Sequence, residues 1–425
     1  MKVLVIGSGG REHALVWKLS ESPQVKKLYC APGNPGIAGI AEIADIPVES
    51  VRELVTFAKT KKIDLTLVGP EAPLAGGIAD HFQGEGLAIF GPTKAAAQLE
   101  SSKVFAKDFM HKYHIPTASY ENFTEYNEAL AFTRTLSYPL VIKASGLAAG
   151  KGAVIVKDSQ QASSTLKEMM VDKILGPSGQ NVVIEDYLEG EELSLMAFCD
   201  GKTMVPMHLA QDHKQLLDGD EGPNTGGMGA YSPVPFISES QLQDFQEKIL
   251  QPTLKGLQKE GIEYKGVLYA GLMLTPSGPK VLEFNCRFGD PEAQAVLPVL
   301  ETDLAEICQA VLEGKLDQLK IVWKKSFATC VVLASSGYPG SYEKGKEIRG
   351  LESVRDDEGL IFHAGTRFLD HKLLSSGGRV LGVTALGNTL EQSIEKAYQL
   401  VDKIYFEGMQ YRTDIGRKGV TRTSA

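Results

Sequence analysis

The sequence predicts a multidomain chain that mixes α/β and α+β architecture. An amino-terminal doubly wound parallel sheet comes first, then a central α+β part with a mobile lid, then a small β-rich carboxyl-terminal domain. Three observations carry this. Short apolar runs alternate with helical patterns over the first hundred or so residues, the mark of a parallel sheet with crossover helices. Near Ser101 the alternation gives way to clustered strands with fewer helices. From about Phe327 the chain returns to β-rich runs followed by one amphipathic helix. At 425 residues the chain can build roughly two to four separate cores.

Residues 2–6 read as a buried strand, 12–20 and 49–62 as helices, 65–68 as a strand, 79–83 as part of a helix and 87–90 as a strand. Polar, glycine- and proline-containing loops follow the strand ends at 7–10, 31–36, 69–73 and 91–93. In such sheets ligands bind at the carboxyl ends of strands, where these loops lie. A helix at 103–113 leads into a mixed segment, 115–188, with strands at 139–143, 153–157 and 181–185 and a helix near 161–171; this is the expected lid. Next come a strand at 192–199, a long polar loop at 211–232, a helix at 238–260 and strands at 267–274 and 280–285. Runs at 328–335 and 380–385 and a helix at 390–404 complete the pattern, and the polar, basic tail 412–425 reads as a solvated end. The expected domains are 1–101, 102–326 and 327–425.

Apolar residues make up 43% and charged residues 23%, the balance of a folded globular protein and not of a disordered one. No run reaches the roughly 18 apolar residues of a membrane helix. The opening MKVLVIGSGGREHAL is broken by Gly7, Gly9, Gly10, Arg11 and Glu12, so it reads as a first strand and not as a secretion signal. A net charge of -9 offers no electrostatic reason to bind nucleic acid, and neither nucleic acid nor membrane is an expected partner. Five cysteines, odd in number and without a C-x-x-C pair, fit free thiols in a reducing compartment, hence a cytoplasmic location. Eight histidines show no zinc-binding spacing.

Four stretches carry chemistry. The loop from Gly7 to Glu12 follows a strand and opens a helix, where a phosphate could meet backbone N–H groups; a plain tight turn fits it as well. In KASGLAAGKG, Lys143 and Lys151 flank a turn of small residues that lets a backbone approach phosphate oxygens. A glycine-rich hairpin with solvated lysines is the bland alternative. In EDYLEGEE, from Glu185 to Glu192, an edge strand could offer backbone groups to a base and a carboxylate to a ribose; taken alone it reads better as an acidic solvated turn. LEFNCRFGDPEAQ says most. Glu283 and Asn285 share one face of a strand, a pair of hard oxygen ligands of the kind that holds Mg²⁺ together with phosphate oxygens. Arg287 continues the alternation as a planar fork for a carboxylate, with Asp290 in the turn beyond. An exposed edge strand is the alternative.

The order of lysine strand, glycine-rich turn, EDYL and E-x-N resembles the ATP-grasp ligases. Within them RFGDPEAQ (287–294) is similar to the signature of the glycinamide ribonucleotide synthetase family. The resemblance runs along nearly the whole chain, through GSGGREHA (7–14), PGNPG (32–36), VGPEAPL (68–74), KASGLAAGKG (143–152), QDHK (211–214), NTGGMGAY (224–231), GYPG (337–340) and GGRVLGV (377–383). No motif position departs from the family pattern. The resemblance implies an ATP-grasp core and a stand-alone bacterial form without the further catalytic domains of animal versions. It implies a ligase joining glycine to 5-phosphoribosylamine with ATP, through glycyl phosphate, in the second step of de novo purine synthesis. By similarity Lys103, Lys143 and Lys151 would hold the ATP phosphates, Gly146 and Lys214 would belong to the same ATP site, and Glu185, Asp186, Leu188 and Glu191 would surround the nucleoside. Glu283 and Asn285 would hold Mg²⁺ or Mn²⁺. Arg287 and Asp290 would grip glycine and, with Lys143 and Lys151, carry catalysis. Gly9, Gly10, Gly33, Asn34, Glu71, Asp212, Asn224, Gly226, Gly227 and Met228 would line the ribosylamine site. A monomer is expected, in transient contact with the enzyme that supplies phosphoribosylamine.

Such chemistry needs no side-chain nucleophile, in keeping with the lack of any Cys–His or Ser–His pattern. Three other readings compete. A carboxylase or another purine ligase would share the grasp but not RFGDPEAQ. A nicotinamide-dependent oxidoreductase is disfavoured by Glu12 standing where a third glycine belongs and by Tyr29-Cys30-Ala31 where a ribose acid belongs. A non-catalytic nucleotide binder would not need the intact Glu283, Asn285 and Arg287 set.

Overall fold

The computed structural model describes residues 1–148, 152–355 and 357–423. The first strand, β1 (Lys2–Gly7), is apolar because it is covered on both faces: Val3, Leu4, Val5 and Ile6 are all fully buried. It pairs in parallel with β2 (Lys27–Pro32) and β4 (Leu65–Val68), and β3 (Glu42–Ile43) and β5 (Ile89–Phe90) complete the sheet in the order β3-β2-β1-β4-β5. The strand order reverses between β1 and β4, which opens a crevice beyond their carboxyl ends. The loops after Gly7 and Val68 border that crevice. The helix Gly10–Ser20 begins there, and Glu12 Oε2 accepts from the Gly9 N–H at 2.5 Å to satisfy its first turn.

A second sheet, β6-β9-β7-β8, is built from β6 (Tyr120–Phe123), β7 (Leu140–Ala144), β8 (Ala153–Val156) and β9 (Val182–Asp186). Strand β9 lies inside it, paired with both β6 and β7, and not at an edge as its acidic end suggests. A third sheet, in the order β11-β10-β16-β17, contains β10 (Glu191–Cys199), β11 (Met204–Pro206), β16 (Gly266–Thr275) and β17 (Gly278–Asn285).

The expected polar loop at 211–232 is largely β-structure. It contains β12 (Gln211–Asp212), a hairpin of β13 (Gln215–Leu217) and β14 (Glu221–Asn224), and β15 (Gly229–Ser232). Strands β12 and β15 join β18 (Phe327–Ser335), β19 (Leu360–His363), β22 (Arg379–Gly387) and β23 (Met409–Gln410) in one sheet; Tyr231 faces Thr329 in the register. Pairing across a hundred residues leaves no local periodicity, so the strands are invisible in the sequence. A separate hairpin, β20 (Thr366–Leu369) and β21 (Lys372–Ser375), projects from the same part of the chain. The tail also departs from expectation: Arg412 is buried and Arg417–Thr423 is helical.

The core between the first and last sheets is threaded by the helix Glu292–Val299, all 8 of whose residues are buried. Val296 and Leu297 pack in one cluster with Val3, Val5, Leu15 and Leu19. Each such side chain contributes about 1.5–3 kcal/mol on burial. This central helix places Glu292 and Gln294 beneath the crevice. All five cysteines are free and buried. Among the described residues no helix is long and apolar enough to cross a membrane.

Candidate active site

A cavity of about 510 Å³ opens where the carboxyl ends of β1 and β4, the β6-β9-β7-β8 sheet, β17 and β22 converge. One wall is cationic. Lys103 starts the helix Lys103–Lys112, whose Ser102 cap accepts from the Phe105 N–H at 3.2 Å, and its own N–H reaches Ser145 O at 2.8 Å. Lys143, on β7, donates to Leu282 O at 3.0 Å. Behind it Glu185 takes ion pairs from both Lys143 and Lys107, in a spot where Glu185 and Lys107 are each 2% exposed. Burial pulls the Lys107 ammonium down to about 8 despite Glu185. For Glu185 burial acts upward, but Lys143 and Lys107 outweigh it and hold the carboxyl below the usual range.

Across from the lysines, Glu283 and Asn285 project from β17, whose register with β16 sets Glu283 against Gly271 and Asn285 against Tyr269. Burial acts to raise the Glu283 carboxyl, yet Lys214, Lys103 and Lys143 together keep it below the ordinary carboxylate range. Lys214 itself pairs with Glu192 at 2.7 Å. Among the described residues no three His, Cys, Asp or Glu side chains converge as a closed metal cage.

The third wall is a network around Arg287. Its Nη2 lies 2.9 Å from Glu100 Oε1 and donates to Asn285 Oδ1 at 3.3 Å, while Nη1 donates to Phe288 O at 3.3 Å. Its Nε is buried without a hydrogen-bond partner, 3.5 Å from Glu71 Oε2. Burial raises the Glu100 carboxyl more than Arg287 lowers it. Asp290 accepts from Gln294 Nε2 at 2.8 Å, and Arg379, on β22, donates to Asp290 O at 2.7 Å and to Gly226 O. Burial would raise the Asp290 carboxyl, but Arg379 and Arg11 hold it low. Asp212 is pushed well above its usual range by burial and by Glu292. Gly227, at φ +109°, brings its backbone so close that a Cβ would stand 2.4 Å from Pro291 and 2.7 Å from Asp212.

The cavity thus gathers Lys103, Lys143, Lys214, Glu71, Asp212, Asn224, Gly226, Glu283, Asn285, Arg287 and Asp290. Gly9 and Gly10 border it: a Cβ on Gly9 would lie 3.4 Å from Asp290 Oδ2 and one on Gly10 2.5 Å from Gln294 Nε2. Other expected residues stand back. Asn34 Nδ2 donates to Ser8 O and His363 O, both at 2.8 Å, and its Oδ1 accepts from Ile37 N, so it braces its loop beside Gly33. Glu185 is a counter-ion behind Lys143, Met228 is fully buried, and Gly146 packs against Ser178. Asp186 is exposed, Leu188 half-buried, and Glu191 accepts from Gln211 Nε2 at 3.3 Å. Lys151 lies outside the described residues.

Arg11, Glu100, Lys107, Tyr269, Glu292, Tyr338 and Arg379 also line the cavity and were not singled out by sequence. Arg11, Glu292, Tyr338 and Arg379 sit inside motif blocks and could have been weighed there. Lys107 follows Lys103 by one helical turn, a usable signal. Glu100 and Tyr269 carry none.

A lysine-bearing sheet facing a carboxylate–amide pair and a carboxylate-sized arginine fork defines an ATP-dependent carboxylate–amine ligase of the ATP-grasp class. Comparison with known proteins narrows this. The family model for the phosphoribosylglycinamide synthetase ATP-grasp (A) domain matches residues 101–293, that for its N domain 1–100 and that for its C domain 328–418. The phosphoribosylamine–glycine ligase of Caldanaerobacter subterraneus subsp. tengcongensis is 55% identical, covering 98% of this chain and 99% of that protein. The crystal structure of the phosphoribosylamine–glycine ligase of Thermotoga maritima is 37% identical, with a TM-score of 0.84, and covers 98% of this chain and 100% of that one. A biotin carboxylase domain from Hydrogenobacter thermophilus, 13% identical with a TM-score of 0.75 over 96% of this chain and 91% of that one, shares the fold alone. The chain belongs to the phosphoribosylglycinamide synthetase family. It is an ATP-dependent ligase of purine biosynthesis that joins phosphoribosylamine to glycine.

Proposed function

We propose that this ligase activates glycine as glycyl phosphate and that the cavity residues act only by positioning and by neutralising charge. The observation that carries the reading is the lining itself. Lysines, a carboxylate–amide pair and the Arg287 guanidinium face one another, and none of the described lining residues is a cysteine, serine or histidine. In this reading the glycine carboxylate, set beside the transferring phosphate, is the phosphoryl acceptor.

In this reading Lys103, Lys143 and Lys151 hold the ATP phosphates. Arg287 takes the glycine carboxylate, and Asp290, kept ionised by Arg379 and Arg11, takes the ammonium. Phosphoribosylamine enters from the side of Asp212, Asn224, Gly226 and Glu71. The donor set on β17 fits a hard divalent cation: Glu283 is held ionised and Asn285 adds an amide oxygen. Mg²⁺ or Mn²⁺ there would neutralise charge on the transferring phosphoryl group. The lid, 115–188, closes over the nucleotide and excludes water from the acyl phosphate. The same reading keeps a division at about 101 and 326, a monomer in transient contact with the enzyme that supplies phosphoribosylamine, and a cytoplasmic site, which the five unpaired buried thiols support.

Glycine labelled with ¹⁸O in both carboxyl oxygens tests the route. One label should appear in the released phosphate and the other in the amide product, read by mass spectrometry. Unlabelled phosphate under full turnover rules out glycyl phosphate. The metal site has its own check. Glu283→Gln removes an anion and should shift the metal titration of turnover to higher concentration, whereas Asn285→Asp adds one and should shift it lower. Two variants that titrate like the parent place the cation elsewhere.

A further inference from the structure

The tail expected to be solvated is tied down by charge. The Arg412 side chain is 0% exposed. Its Nε and Nη2 donate to the two oxygens of Asp414, each at 2.7 Å, and its Nη1 donates to Asp220 Oδ1 at 3.0 Å and to Gln215 O at 3.1 Å. The bonds around it run the same way, from the tail to the 213–221 stretch. Thr413 N donates to Asp218 Oδ1 at 2.8 Å, Gly219 N to Asp414 Oδ2 at 2.9 Å, and Gly416 N to His213 Nε2 at 3.3 Å. Lys418 pairs with Asp220.

What these bonds hold is the β13–β14 hairpin, whose base is also fixed where the Lys214 carbonyl accepts from Thr225 N and Oγ1, each at 2.7 Å. From Lys214 to Asn224 not one residue is buried, so no packed core fixes its position. Yet its two ends carry Lys214 and Asn224 into the cavity, whose wall they share with Glu283. We propose that Arg412 is a positioning residue for the ligase reaction: it clamps the β13–β14 hairpin from behind, and the carboxyl-terminal segment thereby sets where Lys214 and Asn224 stand. A buried guanidinium with four acceptors suits this task, because its rigid fork gives direction as well as attraction. The proposal rests on Lys214 being a working residue of the site.

The test measures steady-state kinetics of the full chain for each substrate, below the unfolding temperature of every variant. Arg412→Ala should lower kcat/KM about tenfold or more, and Arg412→Ala combined with Lys214→Ala should lose clearly less than the two single losses added together, because part of the effect of the clamp runs through Lys214. Asp220→Asn covers the case in which Arg412→Ala fails to fold: it weakens the hairpin end of the clamp, leaves the Arg412–Asp414 fork intact, and should show the same coupling to Lys214. Parent-like kinetics in these clamp variants, or losses that simply add to that of Lys214→Ala, overturn the clamp while leaving Lys214 in its role. A Lys214→Ala variant with parent kinetics overturns both the clamp and the placement of Lys214. The ¹⁸O experiment is independent of either result.

Discussion

Arg287→Lys should lower kcat/KM for glycine by about 2–4 kcal/mol, roughly 30- to 900-fold, while the KM for ATP stays near that of the parent. The guanidinium does several things at once that an ammonium cannot. It bridges Glu100, Asn285 and the Phe288 carbonyl, with its buried Nε 3.5 Å from Glu71 Oε2. A lysine of shorter reach supplies one point charge, which the buried Glu100 would capture, leaving the glycine carboxylate without its fork. Initial rates with glycine varied at saturating ATP, and the converse, separate the two sites. Glycine kinetics equal to those of the parent would take Arg287 out of the carboxylate site.

The second large effect is expected on stability. Glu185→Gln removes the carboxylate shared by Lys107 and Lys143, both nearly excluded from water. Breaking a buried ion pair from one side costs about 3–5 kcal/mol, because the remaining charge stays uncompensated. Lys107, already drawn down to about 8, should then titrate lower still as the Lys143 charge faces it unopposed. The part of the chain carrying the β6-β9-β7-β8 sheet should unfold at a temperature lower by roughly 10 °C without nucleotide. ATP binding should weaken as well, because Lys143 loses the partner that orients it. Calorimetry with and without an ATP analogue measures both, and an unchanged unfolding temperature would show that Glu185 is not the counter-ion of this pair.

Strand β1, the helix behind it, β4 and β17 were legible because their side chains repeat with a period that burial imposes locally. The Glu283–Asn285–Arg287 alternation was legible for the same reason: two-residue spacing on a strand puts side chains on one face whatever lies opposite. The glycine-rich turns declared themselves through composition. Glu185 was different. Its neighbours in sequence are acidic and suggest a solvated edge, but β9 runs inside its sheet and two lysines from other elements reach it.

The tertiary structure alone decided what met across long separations. Strands β12 and β15 exist because β18 lies a hundred residues on. Arg379 reaches Asp290 from β22, Glu100 reaches the Cys286 N–H and the Arg287 guanidinium, and Arg412 reaches back to Asp220. None of these pairings leaves a trace in either stretch of chain. Periodicity and spacing record only what a residue needs from its near neighbours, and the pairing of buried charges is set by which elements the fold brings together. A basic tail is solvated or clamped according to whether carboxylates wait for it, and only the folded chain places Asp220 and Asp414 around Arg412.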